Sequence, residues 1–159
     1  MRNNFLKIFA VFAALFIVLL AAHTTNAQMR RGGAASKQQI EQLLERIEER
    51  TDHFSNRLNK SLDKSRLDGS KTEDRIADRA KDLENATDEL RREFDFSDTK
   101  GETKVNARKV LNAAAAVNRI MNRRNFSRVA ENSWVTLRAE LNTLAGIYGL
   151  APVGSGASR

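Results

Sequence analysis

The chain has 159 residues, a formal net charge of +7, one proline and no cysteine. The absence of cysteine excludes a disulfide framework, a zinc site with thiolate ligands, a cysteine nucleophile and a thiolate-bound iron–sulfur cluster. One proline and eight glycines are too few for a turn-rich all-β fold. The composition therefore favours a helical protein with one ordinary domain.

The first 27 residues have the three parts of a secretory signal peptide. Residues 1–7 carry two bases and no acid, an apolar run extends from Ile8 to Ala22, and the small residues Thr25 and Ala27 end the segment. This pattern predicts cleavage after Ala27 and export to the periplasm or beyond the cell. The alternative is an uncleaved anchor in the inner membrane, which needs about 20 apolar residues. The run is shorter than that, so we favour cleavage.

The rest of the chain divides into a spacer, a helical domain and a tail. Residues 28–36 are small, glycine-containing and without apolar periodicity, which predicts a flexible spacer, and residues 151–159 predict a disordered tail for the same reason. The domain between them, 37–150, has four segments of helical period. They run from about 37 to 65, 71 to 95, 102 to 122 and 127 to 148.

Each helical segment carries one apolar stripe at spacings of three and four residues. In the third segment we expect Val110, Ala113, Val117 and Ile120 to be buried, and in the fourth Trp134 is expected to be a core residue. An amphipathic helix must cover its stripe, and short connections make consecutive helices antiparallel neighbours. The sequence therefore predicts an all-α fold, an up-down antiparallel four-helix bundle. The alternative is a pair of helical hairpins that forms a homodimer.

Short polar motifs indicate where these helices begin and end. Ser70 and Glu73 have the spacing of a capping box, and Thr99 and Glu102 repeat it before the third segment. Gly149 is placed to take the left-handed conformation that commonly follows the last turn of a helix.

Two threonines lie in the apolar stripes of the first two segments. Thr51 and Thr87 would form a polar spot inside the core. We expect each hydroxyl to donate to a backbone carbonyl one turn earlier, which leaves the methyl group to pack.

The sequence offers no residue set typical of catalysis. His53 is the one histidine after the signal segment, and Arg50 stands where the Glu-x-x-His motif of a di-metal bundle requires glutamate. We expect His53 to be a solvated helix residue, with Glu49 beside it on the same face. Gly32 and Gly33 precede no strand, and Gly154 and Gly156 lie in the predicted tail, so we predict no phosphate-binding loop. We predict no catalytic residue, no cofactor and no metal site, and we rank an enzyme third among the readings.

The third helical segment carries a strongly basic surface. Between residues 103 and 130 there are seven bases and no acid, whereas residues 37–95 have a net charge of −3. At 100° per residue, five of the bases fall on one arc opposite the apolar stripe. This predicted anion-binding face, which we call the basic face, consists of Lys104, Arg108, Lys109, Arg119 and Arg123.

Such a face would attract an anionic envelope partner, which could be membrane lipid, polysaccharide or an acidic protein. The alternative is an ordinary solvated face that the acidic half of the chain partly neutralises. Nucleic acid is disfavoured by export and because Phe126 is the one aromatic residue beside the bases.

Several segments of the chain resemble known sequences. Residues 62–70, 72–76 and 86–91, together with the Trp-x-x-Leu-Arg-x-x-Leu-x-x-Leu-Ala pattern of residues 134–145, are similar to a group of exported bacterial all-helical proteins with no assigned activity. The resemblance covers most of residues 40–150. It implies export and a helical fold, and it implies no reaction.

The expected function is therefore a non-enzymatic binding or scaffolding role in the cell envelope. The alternative is a small basic periplasmic chaperone, a class that offers a concave apolar surface ringed by bases. Against it, the Leu-Thr-x-x-Gln signature of the best-known chaperones of this type is missing.

Overall fold

The structure, a computed structural model, describes residues 35–97 and 99–155. These ranges contain four α-helices, which confirms the predicted all-helical fold and the order of its elements. The helices are α1 (Lys37–Leu62), α2 (Lys71–Phe96), α3 (Lys104–Arg123) and α4 (Arg128–Tyr148). The predicted signal peptide and almost all of the predicted spacer lie outside the described residues.

The four helices form a closed ring of neighbours. Helix α1 packs against α2 and α4, and α3 packs against the same two helices, with no contacts across either diagonal of the described bundle. Short loops connect consecutive helices, so neighbours along the chain run antiparallel. The fold is the predicted up-down four-helix bundle, and the two hairpins pack on each other within one chain.

The core is a continuous apolar column to which every helix contributes. Its largest fully buried side chains are Phe54, Leu43, Ile47, Leu58, Leu62, Leu83, Leu90, Leu137, Leu141, Leu144, Val110 and Val117. Within residues 35–97 and 99–155, the buried apolar residues all lie between Ile40 and Val153. A chain that begins at Gln28 therefore contains all of these core residues.

Trp134 is the anchor of the core on α4, as predicted. Its side chain is buried, and its ring is tilted against Phe54 of α1 with 5.2 Å between the ring centroids. Thr51 and Thr87 are buried as well. Thr51 donates to the carbonyl of Ile47 and Thr87 to that of Glu84, each at 2.8 Å. The expected bonds to the preceding turn are confirmed.

The orientation of α3 differs from the prediction by a small rotation. Val110 and Val117 are buried as expected, but Ala113 and Ile120 are half-buried, and Ala107 and Asn118 are buried in addition. A small side chain at 107 fits a close helix contact, and the amide of Asn118 has hydrogen-bond partners inside the core. A small and a polar residue do not stand out as members of an apolar stripe. The stripe predicted from the sequence is therefore rotated slightly from the side of α3 that is buried.

The predicted cap at the start of α2 is confirmed in part, and the one predicted at the start of α3 is not. Ser70 accepts from the amide of Glu73 as expected, while the Glu73 carboxylate accepts from the amide of Gly69 and not from that of Ser70. The capping box predicted at Thr99 and Glu102 is wrong, because α3 begins only at Lys104, after both residues. The Thr99 hydroxyl donates to the Glu102 carboxylate instead.

Specific contacts end α4 and join its last turn to the start of α3. Gly149 has φ +60°, the left-handed conformation predicted for it, and the amide of Leu150 donates to the carbonyl of Ala145 at 2.9 Å. Thr103 at the start of α3 is buried, and its hydroxyl is 2.8 Å from the hydroxyl of Tyr148 at the end of α4.

The chain turns back onto the bundle after α4. In the segment where we predicted a disordered tail, Val153 is buried and its amide donates to the side-chain carbonyl of Asn142 at 2.7 Å. Gly154 lies close to the side-chain nitrogen of Asn118. Residues 151–155 are thus part of the packed domain, and 156–159 lie outside the described residues.

Candidate anion-binding site

All five residues of the basic face lie on the solvent side of α3. Lys104, Arg108, Lys109, Arg119 and Arg123 are exposed, and the buried residues of the helix lie on the opposite side. From Lys104 to Arg123 the face extends about 28 Å along the helix axis. The structure therefore brings the predicted residues onto one elongated surface.

The bases are not evenly distributed along this surface. Lys104, Arg108 and Lys109 lie in the first two turns, and Arg119 and Arg123 lie in the last two. The sequence between Lys109 and Arg119 contains no charged residue. At the helical rise, this charge-free middle separates the two groups by about 15 Å.

Helix α2 neutralises one member of the face. The Nζ atom of Lys109 donates to the Oε1 atom of Glu89 at 2.7 Å, and the side-chain amide of Asn106 donates to the same oxygen at 3.2 Å. Among the described residues, the other four members form no ion pair. The acidic half of the chain thus offsets the first group of bases only in part.

Arg123, the last base of the second group, lines an open groove between α2 and α3. This α2–α3 groove, which has a volume of about 850 Å³, is bordered by Arg123 and Arg124 at the end of α3 and by Arg75 and Arg79 on α2. Ile76 and Ile120 provide apolar lining. The residues that line it are Thr72, Arg75, Ile76, Asp78, Arg79, Lys81, Asp82, Asn85, Ile120, Arg123 and Arg124.

The charge of the α2–α3 groove is positive despite two carboxylates. Its lining includes five bases and two acids, Asp78 and Asp82. The Asp82 carboxylate accepts from Arg79 at 2.9 Å, in a solvent-exposed pair. An exposed pair of this kind is worth about 1 kcal/mol or less, so an incoming anion can compete for the guanidinium group.

Arg75, Arg79 and Arg124 are site residues that the sequence interpretation missed. Arg75 and Arg79 lie in the part of the sequence that has a net negative charge, and their spacing of four residues on one helix is the signal that points to a shared surface. A guanidinium group presents a planar fork of donors that matches phosphate and carboxylate oxygens. Four such groups around one open groove form a site suited to an anion.

An acidic cluster lies on the neighbouring side of the bundle, between α1 and α2. Burial raises the pKa of Glu48, and the nearby carboxylate of Asp88 raises it further. The pKa of Asp52 is raised by burial and by Asp88 in the same way. The described domain therefore has opposite charges on two of its sides.

His53 is exposed on α1, beside Arg50 and Arg57 in a shallow depression that α4 completes. Within residues 35–97 and 99–155, no group of three or more histidine, aspartate or glutamate side chains is placed to hold a metal ion. Among the same residues, no helix combines the length and apolar character that crossing a membrane requires.

Comparison with known proteins adds no relative. The chain matches no protein-family model, no curated protein and no solved structure. The resemblance to exported bacterial helical proteins therefore stays a prediction.

Proposed function

We propose that this protein is an exported, non-enzymatic helical bundle that binds an anionic lipid surface in the cell envelope through the basic face and the α2–α3 groove. One observation carries the proposal. Four arginines from two helices border one open groove, and this groove continues the line of exposed bases along α3.

The shape of this surface favours a lipid surface over a small ligand. The basic face is about 28 Å long and runs along the exposed side of α3, so it is suited to contact an extended partner. Val105, which is 60% exposed, lies between the bases of the first group. At a bilayer surface, this exposed side chain would add an apolar contact at the headgroup boundary beside the bases.

The groove supplies the contact to individual headgroups. Arginine binds phosphate oxygens through paired N–H donors, and the arginines at the end of α3 lie beside those of α2. Each base held near an anionic bilayer contributes about 1 kcal/mol of binding. Several bases on one side of the domain therefore support measurable affinity.

The packing argues against the chaperone reading. The apolar stripes of the four helices cover one another within one chain, and the large apolar side chains exposed among the described residues are Phe96, Val105, Val129 and Val135. These four are distributed over α2, α3 and α4. A protein that binds a lipid surface needs no concave apolar surface and no second copy to cover its apolar stripes. The geometry therefore favours this function over that of a chaperone.

The test is co-sedimentation of the chain beginning at Gln28 with vesicles of phosphatidylglycerol and phosphatidylcholine. We expect binding at low salt and steep weakening near physiological ionic strength, where the screening length is about 8 Å. The double variant Arg119→Gln with Arg123→Gln should lose about 2 kcal/mol of binding free energy. Glutamine keeps the helix intact because its helix propensity is nearly that of arginine.

The matched control is Arg66→Gln with Arg92→Gln, which removes the same charge from exposed positions outside the basic face and the groove. We expect this control to retain most of the binding. Equal loss in both variants would mean that vesicles sense net charge alone, and the site would be rejected. Binding to an acidic polysaccharide without binding to vesicles would reject the lipid assignment.

A further inference from the structure

A second cavity lies between the end of α1 and the loop that joins α3 to α4. We call it the loop pocket. It has a volume of about 490 Å³, and its lining includes Arg57, Lys60 and Lys64 from the α1 side and Phe126 and Val129 from the loop and α4. None of these residues belongs to the basic face or the α2–α3 groove. The volume lies within the range of about 300 to 1,000 Å³ typical of small-molecule sites.

Two hydrogen bonds hold the loop that forms one wall of this pocket. The amide of Ser127 donates to the hydroxyl of Ser61 on α1 at 2.8 Å. The amide of Phe126 donates to the carboxylate of Glu131 on α4 at 3.1 Å. The backbone of the loop is therefore attached to both helices, which fixes the position of the Phe126 residue before any ligand arrives.

The interior of the loop pocket is mostly apolar. Phe126 is half-buried, and Val129 is 57% exposed because it lies on the side of α4 that faces away from the core. The carbon stems of the two lysines add apolar surface, as long basic side chains commonly do. An apolar ligand segment that entered here would remove this surface from water.

The rim of the same pocket is cationic. Arg57, Lys60 and Lys64 are exposed at spacings of three and four residues; the first two lie on α1, and Lys64 lies in the turn that follows it. In the part of the chain that the structure describes, none of the three takes part in an ion pair. Bases without acidic partners beside an apolar interior fit a ligand with one charged end and one apolar end.

We propose that the loop pocket binds a single-chain anionic amphiphile, an alkyl chain that ends in a carboxylate. The carboxylate accepts hydrogen bonds from the bases of the rim, and the alkyl chain contacts Phe126 and Val129. The requirement for both ends distinguishes this ligand from a polyanion, which the basic face would attract. The inference does not depend on the proposed lipid-surface function, because the two sites share no residue.

The test titrates the chain beginning at Gln28 with decanoate, below the concentration at which decanoate forms micelles, and measures binding calorimetrically. We expect one saturable site. Acetate supplies the carboxylate without the chain, and decyltrimethylammonium supplies the chain with a positive end. Both should bind at least about tenfold more weakly, because each lacks one of the two contacts.

Paired variants locate the site. Lys60→Gln with Lys64→Gln should weaken decanoate binding by about five- to tenfold, whereas Lys104→Gln with Arg108→Gln, which removes the same charge from the basic face, should leave it unchanged. Phe126→Ala should weaken binding by about fivefold or more. Its control is Phe96→Ala, since Phe96 is 90% exposed on α2 and should not contribute. Circular dichroism confirms that each variant is folded.

Several results would overturn the proposal. Equal weakening by the two charge variants would show that decanoate senses net charge, and equal binding of decyltrimethylammonium would show that the rim has no part. If the ligand-free chain is a dimer that Phe126→Ala converts to a monomer, a second copy fills the pocket. Vesicle binding measured on the Lys60 and Lys64 variant should be retained, so failure of one proposal leaves the other standing.

Discussion

The indole Nε1–H of Trp134 on α4 donates a hydrogen bond to the side-chain oxygen of Asn118 on α3 at 3.2 Å, and both side chains are buried. Arg138 donates to the same oxygen at 3.2 Å. The most bulky side chain of the core thus depends on one polar residue of the neighbouring helix. This pair joins α3 to α4 near the place where residues 151–155 return to the bundle.

We predict that both members of this pair are important for stability, to different degrees. Trp134→Ala should lower the free energy of unfolding by about 3 to 5 kcal/mol, because it leaves a cavity beside Phe54. Asn118→Ala should lower it by about 1 to 3 kcal/mol, because the buried indole N–H loses its acceptor. Urea denaturation followed by helical circular dichroism measures both, and Asn122→Ala on the exposed side of α3 is the control. A change near zero for Trp134→Ala would contradict the described orientation of α4.

Two glycines near the end of α4 should respond to alanine in opposite directions. Gly149 has φ +60°, so alanine there should lower the free energy of unfolding by about 1 kcal/mol. Gly146 lies inside the helix, and a Cβ atom there would meet no neighbour. Gly146→Ala should therefore raise the free energy of unfolding by about 0.5 to 1 kcal/mol. Thermal melts of the two variants check the signs, and a stabilising effect of Gly149→Ala would contradict the left-handed conformation at Gly149.

The acidic cluster between α1 and α2 should make stability depend on pH. Because the pKa values of Glu48 and Asp52 are raised in the folded protein by burial and by Asp88, unfolding releases protons near the carboxyl range. The contribution of these groups to stability therefore falls as pH rises from about 4 through the raised pKa values. Asp88→Asn removes the like charge, and we expect a weaker dependence in this window.

Urea midpoints measured at several pH values between 4 and 7 test this prediction. The control is Glu93→Gln, which removes an exposed acid of α2 that causes neither of the two pKa shifts. If Asp88→Asn and Glu93→Gln change the pH dependence equally, the cluster does not act as a unit.

The segment after α4 should be protected as part of the domain. The Val153 amide is bonded to Asn142 and the Val153 side chain is buried, so we expect slow hydrogen exchange at this amide. Asn142→Ala should lower the free energy of unfolding by about 1 kcal/mol, since the amide loses its acceptor, and should speed this exchange. Exchange at residue 153 as fast as in an unstructured peptide would contradict the packing.

The spacing of residues in the sequence predicted the features that depend on residues a few positions apart. The burial of Trp134, the bonds of Thr51 and Thr87 to the preceding turn, and the left-handed Gly149 all follow from spacing within one helix. The burial of Asn118 could not be predicted in this way, because its acceptor is satisfied by a residue 16 positions later on another helix. A polar residue in an apolar stripe otherwise indicates the edge of the stripe.

In the candidate site as well, the features of a single helix could be predicted and the contacts between helices could not. The arc from Lys104 to Arg123 follows from the 100° step of one helix, and its five bases are exposed. The contributions of Arg75 and Arg79 to the groove require the packing of α2 against α3, which net charge per segment does not describe. The pairing of Lys109 with Glu89 is also a consequence of that packing.

The bond between Thr103 and Tyr148 has an optical consequence. Tyr148 is the one tyrosine of the sequence, as Trp134 is the one tryptophan, so every tyrosine and tryptophan signal comes from the core. Burial raises the pKa of the Tyr148 phenol, and the hydrogen bond between the Thr103 and Tyr148 hydroxyls lowers it in part. Phenolate absorbance during an alkaline titration should therefore rise together with the red shift of the indole fluorescence, as the bundle opens. Trp134 and Tyr148 therefore report unfolding without an added label, at two places along the contact between α3 and α4.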